Sequence, residues 1–231
     1  MHISPVCTYA HSAQLNIDMG ETLRYMGCGT QATEEIASLA ARAIEAVQAA
    51  ASCKACYMHC EIAFPQENVV DFGFMQIQSA GLYRHLKCCK SVYIFAATVG
   101  LEIDRLIFQY KHSSPSFALA VQAAGAAAVE SYCDLLCAEV FEKEAEKQKR
   151  HTIPRFSAGY DDLSLEVQKQ IIAALDCTRQ IGLTLTDGCM MMPSKSVTAF
   201  VGISDIKIHT AEKCSACANT KCVFRKGSDL K

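Results

Sequence analysis

The sequence predicts a single α+β domain with a mixed or antiparallel sheet. Three observations predict it: an amphipathic helix pattern beginning at Thr33, a long alanine-rich helix in the middle of the chain, and short apolar strand-like runs that do not alternate regularly with helices. With 231 residues there is enough chain for one sizeable core, and no internal repeat divides it. At 51% hydrophobic and 20% charged residues the composition is that of a folded protein rather than a disordered one.

Taken in order, Thr33 is placed to cap a helix, Glu34 and Glu35 suit its positive end, and Ile36, Leu39, Ala40, Ala43, Ile44 and Val47 recur at helical spacing. Residues 55–64 and 69–77 read as strands, separated by the breaker-rich Pro65, Gln66, Glu67 and Asn68, an arrangement that allows a hairpin without requiring one. Ser79 can cap a short helix through Leu86. The continuous apolar run from Ser91 to Ala97 suits a buried strand, after which Thr98, Val99 and Gly100 turn the chain into a helix carrying Leu101, Ile103, Leu106 and Ile107. The longest predicted element runs from about Ser116 to Lys149. Its first half is alanine and other small residues, with Gly125 allowing close approach of a neighbour; its second half carries Glu and Lys for a solvated face. Beyond Pro154 the chain extends through Arg155 and turns near Gly159. A helix over 164–177 with Val167, Ile171 and Leu175 on one stripe follows, then strands at 183–186 and 197–203.

Composition excludes several classes. A net charge of -2 supplies no basic field to hold a phosphate backbone, so no nucleic-acid partner is expected. The first twenty residues lack the basic and apolar regions of a secretory leader. The most apolar window, 117–129, is mainly alanine and is broken by Gln122, too short to span a bilayer. No membrane is therefore expected, and the protein is read as soluble and cytoplasmic. Fourteen cysteines in such a chain are read as mostly free thiols in a reducing compartment.

Three of them stand apart. Cys214, Cys217 and Cys222 lie in a polar stretch that reads as a cysteine-rich tail over 206–231, following a domain over 1–205. Thiolates at this spacing can hold an iron–sulfur cluster or zinc with a fourth ligand such as His209, or the tail is redox-active or inert. Cys53, Cys56 and Cys60 resemble another cluster, but strand periodicity puts Cys56 and Cys60 on one face and Cys53 on the other, which reads as core packing. The pairs Cys88 with Cys89 and Cys133 with Cys137 read likewise. Met190, Met191 and Met192 read as core filling or an apolar lip.

The stretch from Arg155 carries an Arg, three residues and Gly159-Tyr160, then a helix, a Leu-Thr strand at Leu183-Thr184, and a Pro-x-x-Ser-Val strand at Pro193 to Val197. Upstream lie AATVGLEIDRLI (Ala96 to Ile107) and the alanine-rich helix with Val129-Glu130-Ser131. In this order the segments resemble the S-adenosylmethionine-binding reactivation domain of cobalamin-dependent methionine synthase, over roughly Glu21 to Ile203, here in free-standing form. The resemblance implies a C-shaped single domain around a twisted, mainly antiparallel sheet flanked by helices. It implies that Arg155, Ser157, Ala158, Gly159, Tyr160 and Glu130 line the ligand site. Three departures stand beside it: Ala158 where the family commonly has Pro, Val201 to Ser204 without the family's Tyr pair, and no evident counterpart around Glu21 to Met26 of an acidic contact near the N-terminus.

The chemistry of the ligand agrees with these residue types. S-adenosylmethionine carries a carboxylate, an ammonium and a sulfonium. Arg155 can offer a two-pronged donor to the carboxylate, Glu130 can meet the ammonium, Gly159 permits close backbone approach, and Tyr160 offers a flat face and a hydroxyl. On the residues alone, an Arg at a strand end such as Arg155 is more usually a surface ion pair than a ligand-binding group, Glu130 reads as an exposed helix carboxylate, and Gly159 and Tyr160 can serve only the turn and the covering of the core.

In the family, uphill re-reduction of an inactive cob(II) cofactor by a flavodoxin- or ferredoxin-type donor is coupled to downhill methyl transfer from the sulfonium, and the protein's task is positional. The chain contains no Asp-x-His-x-x-Gly segment, so the resemblance implies that cobalamin arrives on a partner: a methionine synthase or related corrinoid methyltransferase lacking its own reactivation domain. Two other readings are an electron-transfer or metal-carrying protein centred on the tail cysteines, and a non-enzymatic module that senses S-adenosylmethionine.

Overall fold

The computed structural model describes residues 2–11, 15–28 and 32–207; Cys214, Cys217, Cys222 and His209 lie outside the described residues. The chain begins with strand β1 (Cys7–His11) and the short helix α1 (Met19–Tyr25), whose first turn is capped by the Asp18 carboxylate accepting the Glu21 amide at 2.7 Å. Helix α2 (Glu34–Ala50) starts where the sequence places it, with the Thr33 hydroxyl accepting the Ile36 amide and Ala40, Ala43 and Val47 on its buried face. Strand β2 (Cys53–Glu61) leads to a small hairpin, β3 (Val69–Asp71) and β4 (Gln76–Gln78), then to helix α3 (Ala80–Leu86) under its Ser79 cap. Strand β5 (Ser91–Thr98) and helix α4 (Glu102–Tyr110) follow.

Helix α5 (Pro115–Leu136) opens into a π-helical turn over Cys137–Glu142 and continues as α6 (Lys143–Lys147), a run of 33 residues. Its alanine-rich half is buried because α4 lies close against it. A Cβ on Gly125 would stand 3.0 Å from Ile103 Cγ2 and 3.1 Å from Lys195 Cε, so no side chain fits there without a shift. The π turn shifts side chains relative to a continuous α-helix. It contains Phe141, which is buried against the stacked ring of Tyr93 at 4.3 Å and the edge of Tyr57 at 5.3 Å. The remaining elements are β6 (His151–Thr152), α7 (Val167–Ala174), α8 (Cys177–Ile181), the paired β7 (Thr184–Leu185) and β8 (Met191–Met192), and β9 (Ser196–Ser204).

The fold is α+β, as expected, and its main sheet is wholly antiparallel. Five strands in the order β1-β2-β5-β9-β6 curl into a half-barrel, with β5 in register from Lys54↔Thr98 to Glu61↔Ser91 on one side and from Ser91↔Ile203 to Thr98↔Ser196 on the other. Both faces are covered, which is why β5 reads as an unbroken apolar run and is buried at every residue. Tyr93, Phe95 and Ala97, with Cys53, Ala55, Ala199 and Val201, face α2 and α5. Val92, Ile94 and Ala96, with Cys56, Met58, Cys60 and Phe200, face α3, α7 and α8. The three cysteines of β2 thus divide between the faces as the period-2 reading has it.

Several expectations are corrected. The stretch 69–77 is not one strand, because Gly73, at φ +87° and donating to Asp71 Oδ1 at 2.7 Å, folds it into the β3–β4 hairpin. It pairs with the preceding strand region only through an isolated Ala63–Asp71 bridge, since both edges of β2 are taken by β1 and β5. The helix expected over 164–177 is shorter and breaks at Asp176, which adopts φ +48°. Cys88 is exposed in the turn between α3 and β5, whereas Cys89 is buried beneath Gly202. Of the two readings for Met190 to Met192, the exposure of Met190 and Met192 fits the apolar lip and not core filling. Among the described residues, no helix is long and apolar enough to cross a membrane.

Candidate functional site

The loop after β6 is held from both sides. Phe156 exchanges backbone hydrogen bonds with Phe200 of β9 (3.0 and 2.8 Å), and His85 Nε2 of α3 donates to the Pro154 carbonyl at 2.8 Å while its ring lies against Phe156. Phe156 enters the core on one side, and Arg155 turns to α5 on the other. There its guanidinium meets Glu130 Oε2 through Nη2 at 2.8 Å and Asp134 Oδ1 through Nη1 at 2.9 Å, and its side chain is only 20% exposed. Glu130, Cys133, Asp134 and Cys137 recur at i, i+3, i+4 and i+7 and so present one helical face. Burial works against the charged guanidinium, but the facing carboxylates of Asp134 and Glu130 more than offset it and hold Arg155 protonated more firmly than usual. Burial pushes the Cys137 thiol up to about 11 despite the opposing pull of Arg155, and Cys133 is raised by the same cause. Neither thiol is set up as a nucleophile.

After Arg155 the chain turns tightly. The Tyr160 amide donates to the Ser157 carbonyl at 3.1 Å, and the Gly159 amide donates to the Leu163 carbonyl at 2.8 Å. Gly159 takes φ +88°, and a Cβ there would stand 3.1 Å from Leu165 Cδ2, so both backbone angle and space ask for glycine. Ala158 packs against the core on the α3 and α7 face. Tyr160 is 45% exposed, meets Phe156 edge to face at 5.9 Å, and has its hydroxyl raised first by burial, then by Glu130, with Arg155 opposing and Tyr25 adding. Arg155 and Glu130 are therefore brought together, with Tyr160 near enough to feel both charges and Ser157, Ala158 and Gly159 forming the turn between Arg155 and Tyr160.

Sequence alone does not reveal two members of this group. Asp134 lies one turn from Glu130, and that i,i+4 spacing is the signal that points to it. Tyr25 carries no such signal; it arrives because α1 packs on α5, tied by the Ser131 hydroxyl donating to the Asn16 carbonyl at 2.9 Å. Arg24 lies 4.3 Å from the Tyr25 ring centroid and pairs with Glu21 at 2.5 Å, so the acid in this stretch is engaged within its own helix.

No family model matches the sequence, and no curated protein matches it. Among solved structures, the MetH reactivation domain bound to AdoHcy (S-adenosylhomocysteine) superposes with a TM-score of 0.61 at 14% identity, covering 90% of this chain and 81% of that one. The chain has the MetH reactivation fold.

Within this MetH reactivation fold the loop is fastened at its far end as well. Asp161 pairs with Arg84 at 2.5 Å and lies so close over α3 that a Cβ on Gly81 would stand 2.6 Å from its Oδ2. Asp162 accepts from the Ser79 hydroxyl at 2.5 Å and from the Ala80 and Gly81 amides at 2.7 and 2.9 Å. The Ser79 hydroxyl and these amides hold its carboxyl down at about 2, against an ordinary 3.8. A carboxyl lowered on folding contributes stability above its unfolded value and loses it as pH falls through the folded one. Asp162→Asn is thus expected to narrow the stability gap to the native protein between pH 3.8 and about 2, and to leave that gap constant above it, as read by melting at stepped pH. A gap that does not change across this window rules out the anchoring role.

A surface groove of about 460 Å³ lies elsewhere, between the β3–β4 hairpin and α7, lined by Phe74, Met75, Gln76, Gln170, Ala173 and Ala174. Among the described residues, no three or more His, Cys, Asp or Glu are placed to hold a metal ion.

Proposed function

We propose that this protein binds S-adenosylmethionine at the loop of residues 155–160 and supports reductive methylation of cob(II)alamin carried by a separate corrinoid-dependent methionine synthase or related methyltransferase. The observation that carries the reading is the convergence of Arg155, Glu130 and Tyr160 beside the glycine turn, on a fold shared with a reactivation domain. The donor set suits the ligand: the guanidinium takes the amino-acid carboxylate in two-pronged fashion, Glu130 takes the ammonium, and the Gly159 turn lets backbone approach without a side chain in the way.

When bound, S-adenosylmethionine supplies an electrophilic methyl group. The chain's own part is to grip and orient. Arg155 and Glu130 fix the charged headgroup, Tyr160 presents a half-exposed ring at the rim, and the fastened loop keeps these groups from having to be ordered on binding. No general base is required of the protein. Cobalamin belongs to the partner, and the electron comes from a flavodoxin- or ferredoxin-type donor.

The test has two stages. Calorimetric titration of the folded protein with S-adenosylmethionine is expected to give saturable one-site heat. Mixing it with a corrinoid methionine synthase that lacks its own reactivation domain, a reductant and methyl-labelled S-adenosylmethionine is expected to move label onto the corrinoid. Folded protein that gives no heat removes the ligand assignment; heat without label transfer removes the reactivation role and leaves a binding module.

A further inference from the structure

Cys56 of β2 and Cys177, the first residue of α8, meet in the core on the α7 and α8 face of the sheet. The Cys56 thiol donates to Cys177 Sγ at 3.6 Å, and both side chains are fully buried. The two residues stand 121 positions apart in the chain. Their settings are unequal. Cys56 lies where β2 pairs with Thr8 of β1 on one side and Ala96 of β5 on the other, so its backbone is fixed. Cys177 opens a five-residue helix that has no side-chain cap and is flanked by left-handed residues, Asp176 at φ +48° and Gly182 at φ +72°. An aspartate held in that region is strained, and so short a helix contributes little to its own stability. One thiol is therefore anchored, and the other rides on an element that opens readily.

We infer that Cys56 and Cys177 form a reversible redox latch: a disulfide that pins α8 to the central sheet under oxidising conditions and releases it under reducing ones. The inference stands apart from the ligand reading of the 155–160 loop. A disulfide needs its sulfurs about 2 Å apart, so the pair must close by roughly 1.5 Å, a movement open to α8 and not to β2. In the closed fold the pair is inert. The hydrogen bond with Cys56, and then burial, push the Cys177 thiol up, and both sulfurs are shut off from solvent. Reaction begins when α8 lifts and Cys177 meets water. Its thiolate attacks a small-molecule disulfide such as oxidised glutathione, which leaves a mixed disulfide and releases one thiol. When α8 returns, the Cys56 sulfur displaces the second thiol, and the Cys56–Cys177 bond is made. Two protein thiols are thereby oxidised, the external disulfide is reduced to two thiols, and the protein thiols' protons pass to them through solvent. The new bond closes a long loop and so restricts the unfolded chain. It also fixes the layer against which Ala158 and Leu163 of the site loop pack.

The experiment incubates the full chain with oxidised glutathione, traps free thiols by alkylation and maps the cysteine peptides by mass spectrometry, with the exposed Cys88 as the control for reagent. A linked Cys56–Cys177 peptide is expected, dithiothreitol is expected to undo it, and the oxidised form is expected to melt roughly 5–10 °C higher. The rate of bond formation should rise with hydrogen exchange across Cys177–Ile181 as low urea is added. Cys177→Ala is expected to lose the thermal shift, whereas Cys88→Ser keeps it. If Cys88 is modified while Cys56 and Cys177 stay reduced, or if either pairs with a different cysteine, the latch is overturned. A bond that forms without raising the melting midpoint overturns it too. Peptide mapping of the native protein decides the matter even if Cys177→Ala fails to fold.

Discussion

Truncating Phe141 to alanine is expected to destabilise the protein by about 3–5 kcal/mol, lowering the thermal midpoint by roughly 10 °C. The side chain is fully buried and sits among rings that cannot close the gap. Tyr93 stacks on it at 4.3 Å, Tyr57 meets it edge-on at 5.3 Å and Phe95 at 5.6 Å. Tyr57 and Tyr93 stand on β2 and β5; β5 is paired along its whole length on both sides, and Tyr57 lies where β2 is paired with both β1 and β5, so neither backbone can move in. Phe141→Leu, which keeps most of the volume, is expected to lose far less. Thermal and urea unfolding of both variants checks this. A loss below about 1 kcal/mol for the alanine variant would mean that the π turn is not held by its aromatic contact.

Arg155→Ala is expected to weaken S-adenosylmethionine binding by at least about 100-fold, since a charge-assisted hydrogen bond contributes roughly 1.5–3 kcal/mol and the headgroup carboxylate loses two. Stability should change little by comparison. The carboxylates left behind, Glu130 at 45% and Asp134 at 75% exposure, are already hydrated and can be re-solvated without an orphaned buried charge. Arg155→Lys should not restore binding, because an ammonium is a point charge and cannot span two oxygens as the guanidinium fork does. Titration calorimetry, with melting curves as the folding control, reads both variants. Affinity retained within a few-fold in the alanine variant places the headgroup somewhere else.

How legible the chain is depends on how far each element's signal is local. Helix α2 announces itself through Thr33, two acids and an apolar stripe, because cap, dipole and periodicity are all written within a few residues. Strand β5 and the alanine-rich helix are equally plain, since a strand buried at every residue demands a continuous apolar run and a helix packed over most of its surface demands small residues. The elements that escape are those made by pairing. Strand β1 reads Cys-Thr-Tyr-Ala-His, with nothing to distinguish it from a polar loop until β2 lies beside it. Helix α1 is seven residues long, too short for periodicity to register. The candidate site divides in the same way. Arg155, Gly159 and Tyr160 lie within one six-residue stretch, and Glu130 comes from the segment order of the resemblance, whereas Tyr25 is delivered by packing of α1 on α5 and Asp134 is marked only by its helical offset from Glu130.

The double-sided sheet has a mechanical consequence. Because β5 and β9 serve as a party wall, stripping the helices from one side would bare the other side's apolar lining to water, so neither half has a stable existence without its neighbour. The molecule should therefore melt as one cooperative unit, with amide protons along Tyr93 to Ala97 the last to exchange.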